Sequence, residues 1–223
     1  MTTRLTVSRF RAVWRFDAIF IFAAGARMST ERSQKAEEIM HHTRELLTSG
    51  GYNSFSYADL AERVQIRKSS IHHHFPGKAG LVQAVVSDYR QQAQAGMAAT
   101  SQHFVGDALG EINSYVNFWA TCIKENNSPF CICVTLAVEL PVLPKEVAQE
   151  VSGHFADLTD WLTGVMSRGE KSGVFTLREN AATEAKSLMA TVHGAIISAR
   201  AFNNADVFLE IVKPAIGRLV KSH

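Results

Sequence analysis

Arg67, Lys68, Ser69, Ser70, His72 and His73 bring two cations, two hydroxyls and two imidazoles into seven consecutive residues. Guanidinium and ammonium groups meet phosphates and base acceptors, and short hydroxyls let a backbone come close, so the chemistry this set suits is DNA recognition rather than bond making. A helix must position them. Over Arg67 to Phe75 the 3.6-residue period turns Ile71, His74 and Phe75 inward and Arg67, Lys68, Ser69, His72 and His73 outward. Upstream, Ser56 and Asp59 stand at the spacing of a capping box, which starts a first helix burying Ala58, Ala61 and Val64, and Gln65 with Ile66 makes the turn. The stretch SYADLAERVQIRKSSIHHHFPGKAGL, Ser56 to Leu81, therefore has the layout of a helix-turn-helix reader. The competing reading of the same residues is a solvated helix face.

Residues 32 to 81 resemble the DNA-binding domain of the tetracycline-repressor (TetR) family. The resemblance rests on a supporting helix over Ser33 to Thr48 and on a reader that ends in IHHHFPGK, Ile71 to Lys78, where that family has aromatic-His-His-Phe or Tyr-x-x-Phe followed by Pro, a small residue and Lys. Two positions depart from the pattern: Gln65 stands where the turn usually has Gly, and His72 where a phosphate-contacting Tyr is common. The resemblance implies that Lys78 opens the next helix beside the DNA backbone, with Gly77 as its N-cap. The expected DNA-facing set is Arg67, Lys68, Ser69, Ser70, His72, His73 and Lys78, with Ser56 and Tyr57 from the preceding helix.

The chain has 223 residues, 46% of them hydrophobic, enough for a small reader and one larger domain. Its net charge of +2 hides an asymmetry: residues 1 to 27 hold five Arg against one Asp, residues 28 to 80 hold seven Lys and Arg against six acids, and the rest is net negative. Binding through such a patch predicts a loss of about 10³ to 10⁵ in affinity from low to moderate salt if roughly six to ten phosphates are contacted. The first 27 residues place Arg4, Arg9, Arg11 and Arg15 before an apolar AIFIFAAGA. Asp17 limits the apolar run to a length too short to span a bilayer. Met28, immediately before the family-like domain, makes an early-called start codon the favoured account, with a basic DNA-facing arm as the other.

Beyond Lys78 the apolar residues recur at helical spacing without strand alternation, so the fold class is all-α: an N-terminal three-helix helix-turn-helix domain (28–78) and a C-terminal helical ligand-binding and dimerisation domain (79–223). A lever helix from Leu81 to about Phe104 joins them. Further helices are predicted over Asp107 to Lys124, Phe130 to Leu140, Lys145 to Lys171, Glu179 to Asn203 and Ala205 to Lys221, punctuated by Pro129, Pro141, Pro144 and Gly173. Candidate pocket residues are Phe104, Phe118, Trp119, Cys122, Phe130, Cys131, His154, Phe155, Leu158, Trp161 and Met166, with the polar tips of His154 and Trp161 as orienting donors; ordinary core packing is the competing reading. Near the C-terminus, small residues at Ala190, Gly194, Ala195, Ser198 and Ala199 permit close helix approach. With Ile197, Ala201, Val207, Leu209, Ile211, Val212 and Ile216 they form an internal packing face or the four-helix dimer interface that the family resemblance implies; the dimer is favoured.

Cys122, Cys131 and Cys133 are too few for a secreted disulfide framework and fit a reducing cytoplasm. FCICVTLAVEL resembles a stretch of the TetR relatives that are like the repressor of the N-ethylmaleimide reductase operon, in which a cysteine is followed by Leu, a small residue and Glu; the matching residues are Cys131, Leu136, Ala137 and Glu139. The Gly that precedes the cysteine there is Phe130 here. Cys131 is thus either a buried structural thiol or an electrophile and oxidant sensor. Consecutive helical side chains diverge by about 100°, so neither the histidine runs nor Cys131 with Cys133 is expected to hold a metal, and no cofactor or catalytic motif is evident. The expected protein is a non-enzymatic, cytoplasmic, homodimeric repressor. It binds a palindromic double-stranded DNA operator until a small-molecule effector moves the lever, with no membrane partner. The alternatives are a thiol-based repressor acting through Cys131 and a non-regulatory ligand-binding helical protein.

Overall fold

The computed structural model describes residues 32–125 and 130–220. Among them lie nine α-helices: α1 Gln34–Gly50, α2 Tyr57–Val64, α3 Lys68–His74, α4 Lys78–His103, α5 Ala108–Glu125, α6 Ile132–Ala137, α7 Lys145–Lys171, α8 Ala181–Ala201 and α9 Asp206–Leu219. The only strand-like pairing among the described residues is the single bridge between Phe175 and Val220, so the fold is all-α. The expectations for residues 1 to 27, for Met28 and for Pro129 lie outside the described residues.

Local chemistry fixes the first three helices. Ser33 Oγ accepts the Ala36 N–H at 3.2 Å and caps α1, which ends at Gly51 in the left-handed region (φ 83). Ser56 and Asp59 form the capping box of α2, the serine hydroxyl accepting from Ala58 N at 3.1 Å and the carboxylate accepting from Ser56 N at 2.6 Å. The turn residue Gln65 sits at φ 54, ψ 44, a left-handed conformation that costs a non-glycine residue about 1–2 kcal/mol. The stripe α2 buries is Tyr57, Leu60, Ala61 and Val64, while Ala58 is exposed. The expected stripe was rotated because a tyrosine ring and a leucine remove far more apolar area from water than one alanine methyl.

The three helices close over Ile39, Leu47, Leu60, Val64 and Ile71, and the same core runs without a break into Leu81, Val82, Val85 and Val86 of α4. The lever then packs along α7, α7 against α8, and α8 against α9. Arg90 staples α4 to α7: Nη2 donates to Asp157 Oδ1 at 3.1 Å and Nη1 to Glu150 Oε2 at 3.4 Å. Gly153 makes room for it, since a Cβ there would lie 2.2 Å from Arg90 Nη1. Two further ties join α7 to α5 and to α4. Arg168 Nη2 lies 2.8 Å from both oxygens of the buried Glu111, while Trp161 Nε1 donates to Ser101 Oγ at 2.9 Å.

Residues 145 to 171 form the helix expected of them, and the lever opens at Lys78 with Gly77 as its N-cap, three residues ahead of the apolar stripe that begins at Leu81. The segment expected as a helix from Phe130 to Leu140 differs: α6 covers only Ile132–Ala137, and Leu140–Val142 is a 3₁₀ turn. Cys131 holds an extended N-cap conformation (φ −68, ψ 117), and Pro141 disfavours α geometry at Leu140. Asn180 caps α8 through the Thr183 N–H at 2.9 Å and Asn203 turns the chain at φ 48, so α8 is shorter at both ends than expected. No helix among the described residues is long and apolar enough to cross a membrane.

Candidate functional site: a nucleic-acid face and a buried effector cavity

Helix α3 presents Arg67, Lys68, Ser69, His72 and His73 to solvent, with Ser70 half-buried and Ile71 fully inside. His72 is steadied at its base, Nδ1 lying 3.2 Å from the Pro76 carbonyl and the ring 4.8 Å from that of Tyr57. Lys35 of α1, which the sequence reading passed over, borders a groove with Ser69, Ser70 and His73.

Three of the expected DNA contacts are engaged elsewhere. Tyr57 is buried and its hydroxyl donates to the Phe75 carbonyl at 3.0 Å, so it anchors the end of α3 from within. Ser56 is exposed, but its N–H and hydroxyl both bond Asp59. Lys78 turns inward: Nζ donates to the Phe55 carbonyl and lies 4.7 Å and 4.2 Å from the ring centres of Tyr52 and Phe55. Burial lowers its ammonium pKa, and the nearby Glu139 and Asp59 oppose that shift. An amphipathic side chain buries its stem wherever an aromatic wall is available, which sequence spacing does not disclose.

Between α4, α5, α7 and α8 lies a cavity of about 40 Å³, walled by Tyr89, Gln92, Ala93 and Met97, by Tyr115, Phe118 and Trp119, by His154 and Leu158, and by His193. Two buried polar atoms of these residues, His154 Nδ1 and His193 Nε2, have no hydrogen-bond partner among the described residues. Each such atom costs about 1–3 kcal/mol when left unmatched, so the wall carries polar atoms that a polar group in the cavity would match. Of the candidate pocket residues, Phe118, Trp119, His154 and Leu158 line this cavity. Phe104, Cys122, Phe130, Cys131, Phe155 and Trp161 do not line it. Phe104 ends α4 against the His103 ring, and Phe130 lies under the Arg200 guanidinium at 4.5 Å. Phe155 packs edge-on against His193, Trp161 serves the Ser101 tie, and Met166 is core. Burial pushes the Cys122 thiol up to about 12.

Behind the cavity wall, Cys131 is fully buried and accepts a hydrogen bond from the Tyr89 hydroxyl at 3.3 Å, with His154 Nε2 3.8 Å from its sulfur. Burial by itself raises the Cys131 thiol pKa; hydrogen bonds from Cys133 and His154, with the charges of His154 and His193, outweigh it and bring that thiol below the ordinary range. Cys133 moves the other way, pushed up by burial and by Cys131. The expected divergence of Cys131 and Cys133 does not occur: the extended N-cap conformation of Cys131 removes it from the helical 100° step, and both sulfurs converge with His154. From the far end of the same segment, Glu139 Oε2 accepts the Tyr52 N–H at 2.6 Å. A Cβ on Gly51 would lie 2.8 Å from that carboxylate, so the glycine serves both the left-handed turn and the contact.

A three-helix reader with an exposed cationic third helix, levered onto a helical domain with a small buried cavity, is the architecture of a DNA-binding regulator. Residues 39–85 match the family described as bacterial regulatory proteins, tetR family. A TetR-family transcriptional regulator from Agrobacterium tumefaciens shares 46% sequence identity over 84% of this chain and 98% of its own, with a TM-score of 0.82. A TetR regulator from Legionella pneumophila (24% identity, TM-score 0.75, 85% of this chain and all of its own) and E. coli NemR in its reduced form (15%, 0.74, 84% and 98%) share the fold. A search of curated proteins returned no significant match. The chain belongs to the TetR family of transcriptional regulators; it is a DNA-binding regulator, not an enzyme.

Proposed function

We propose that the protein is a homodimeric repressor that holds a palindromic operator until an effector in the cavity of α4, α5, α7 and α8 shifts the lever and changes the spacing of the two α3 helices. The observation that carries this reading is continuity: one core runs from Ile71 under the DNA face through Leu81 and Val85 to Tyr89 and Met97 on the cavity wall. An effector that binds the DNA-incompetent state more tightly, with a coupling of about 1–3 kcal/mol, would weaken operator binding roughly 5 to 150 fold. The exposed line of Ala190, Gly194, Ile197 and Ala201 along α8 supports the dimer, because residues at this spacing share one face. Ile216 is not part of that face; it packs inside its own protomer, as Leu209 partly does. The reader is taken to end, and the regulatory domain to begin, at Lys78, and the working compartment is the cytoplasm. Fluorescence anisotropy with DNA from upstream of its own gene tests the proposal. Two protomers per site and a steep salt dependence are expected; one protomer per site would overturn the dimer, and an unchanged signal for Lys68→Ala would remove Lys68 from the DNA-facing set.

A second reading is favoured by the Cys131 geometry. A thiol biased toward thiolate, touched by two cavity-wall residues, suits an electrophile or oxidant sensor of the kind the N-ethylmaleimide-operon resemblance implies. Treatment with N-ethylmaleimide should release DNA from the wild type and not from Cys131→Ser; release from both proteins would exclude Cys131 as the sensor.

A further inference from the structure

Cys131 Sγ, Cys133 Sγ and a ring nitrogen of His154 all lie within 4.8 Å of one another, and the three residues are buried. Around an ion with metal–sulfur bonds of about 2.3 Å and metal–nitrogen bonds of about 2.0–2.1 Å, neighbouring ligand atoms stand roughly 3.5–4 Å apart. The Cys131 Sγ to His154 Nε2 separation is already 3.8 Å, so side-chain rotations of the order of an ångström close the set. Among the described residues this is the only such group of three or more potential ligands, and it contains sulfur and nitrogen but no carboxylate. That donor set is soft and rejects Mg²⁺ and Ca²⁺, which take oxygen. His154 Nδ1 and, one helix away, His193 Nε2 are buried polar atoms with no hydrogen-bond partner among the described residues, so the cluster adjoins a cavity with two unmatched polar atoms on its wall. His154 presents Nε2 to the cluster and leaves Nδ1 for a group in the cavity, the usual division of labour in a metal-bound imidazole.

We propose that Cys131, Cys133 and His154 form a buried site for a thiophilic d¹⁰ cation, Zn²⁺ or Cu⁺, and that this ion is an effector of the regulator. Binding replaces the thiol protons, which pass to solvent, by metal–sulfur bonds; no electron is transferred. Three protein ligands leave room for a fourth from the cavity side for Zn²⁺, and suffice for the lower coordination of Cu⁺. Cys131 caps α6 and Cys133 lies in its first turn, so drawing both sulfurs onto one ion rotates the segment whose other end, Glu139, holds the reader at Tyr52. This last step rests on the proposed effector control of DNA binding, with α6 as its route to the reader; the site itself does not.

The test uses the full-length dimer, reduced by a phosphine under argon, with Zn²⁺ and Cu⁺ added in separate arms against chromophoric competitors, and Co²⁺ as a spectroscopic stand-in for zinc. One ion per protomer is expected, with thiolate charge-transfer absorption, in one arm or both, and the arms identify the ion. Cys131→Ser, Cys133→Ser and His154→Gln should each weaken binding at least 10-fold, while Cys122→Ala binds as the wild type does. No ion held by the wild type, or full binding by Cys133→Ser and His154→Gln, overturns the site. Operator affinity is read in the same samples: a change of 5-fold or more on metal addition supports the effector role. Stoichiometric binding without a change in operator affinity keeps the site and overturns the proposed coupling. Release of DNA by N-ethylmaleimide from a protein that binds neither ion overturns the metal site and leaves the thiol reading in place.

Discussion

Glu139 Oε2 accepts the backbone N–H of Tyr52 at 2.6 Å across 87 residues of sequence, tying the segment that begins at Cys131 to the foot of the reader. The contact is charge-assisted, half-buried, and reinforced by Lys78, whose ammonium lies over the Tyr52 ring. Helix α1 touches α6 directly as well. A displacement of α6 therefore reaches the reader by a shorter route than the lever provides.

Glu139→Gln keeps the shape and removes the charge. A charge-assisted bond exceeds a neutral one by about 1 kcal/mol, so Tm should fall by roughly 2–4 °C for a chain of this size. Operator affinity should change as well, because Gly51 and Tyr52 support α2. Thermal unfolding and anisotropy check the two effects, and a variant with the wild-type Tm and affinity would remove Glu139 from the coupling route.

Lys68 and Tyr57 separate contact from support. Lys68→Ala should weaken binding to every DNA sequence alike and lower the slope of log K against log salt by about 1 if the ammonium meets one phosphate. Tyr57→Phe removes the bond to the Phe75 carbonyl, costing about 1 kcal/mol of stability, and should leave the salt slope untouched. A changed slope for Tyr57→Phe would return that side chain to the DNA-facing set.

Gln65 carries strain that the family pattern avoids. Its left-handed conformation is one that glycine adopts freely, so Gln65→Gly should stabilise the protein by about 0.5–1 kcal/mol despite the added freedom of the unfolded chain. Urea unfolding measures it. Destabilisation would mean that the exposed Gln65 side chain makes a contact worth more than the relief of strain.

The capping box at Ser56, the inward Ile71 and the span of α7 were legible in the chain, because capping and helical periodicity are local and the responsible residues lie within one or two turns. Tyr57, Lys78 and Trp161 were not, since each has an apolar body and a polar tip and its direction is decided by a partner far away: Phe75, Phe55 and Ser101. The Cys131–His154 pair spans 23 residues and depends on one extended residue before α6, which carries no side-chain cap to announce it. His193 was missed for a related reason. A single histidine in the apolar segment of α8 reads as core until His154 and Phe155 are seen beside it.

Acid should loosen the staple between lever and α7. Hydrogen bonds from Arg90 hold the Asp157 carboxyl below its usual range against the opposing effect of partial burial. A group depressed in the folded state contributes stability above its unfolded pKa of about 3.9, and loses it as pH falls through the lower folded value. The stability difference between wild type and Arg90→Ala should therefore be constant from pH 7 to about pH 5 and shrink below pH 4. A difference independent of pH down to 2 would mean that Arg90 acts through packing alone.

The proposed dimer face and the protomer core can be told apart on neighbouring helices. Ile197 is 46% exposed on the Ala190, Gly194 and Ala201 line, with Phe202 also bare at its end, whereas Ile216 is 8% exposed. A carboxylate at position 197 would be solvated in a monomer and buried without a partner in a two-fold interface, at a cost of several kcal/mol counted twice by symmetry. Ile197→Asp should leave Tm near that of an isolated protomer, give a monomer in light scattering at micromolar concentration, and reduce operator affinity by 100-fold or more because two half-sites are no longer bound together. Ile216→Ala should instead cost about 2–4 kcal/mol of protomer stability through the cavity it leaves. If Ile197→Asp still scattered as a dimer, the interface would lie on another face, and the exposed line on α8 would have no part in assembly.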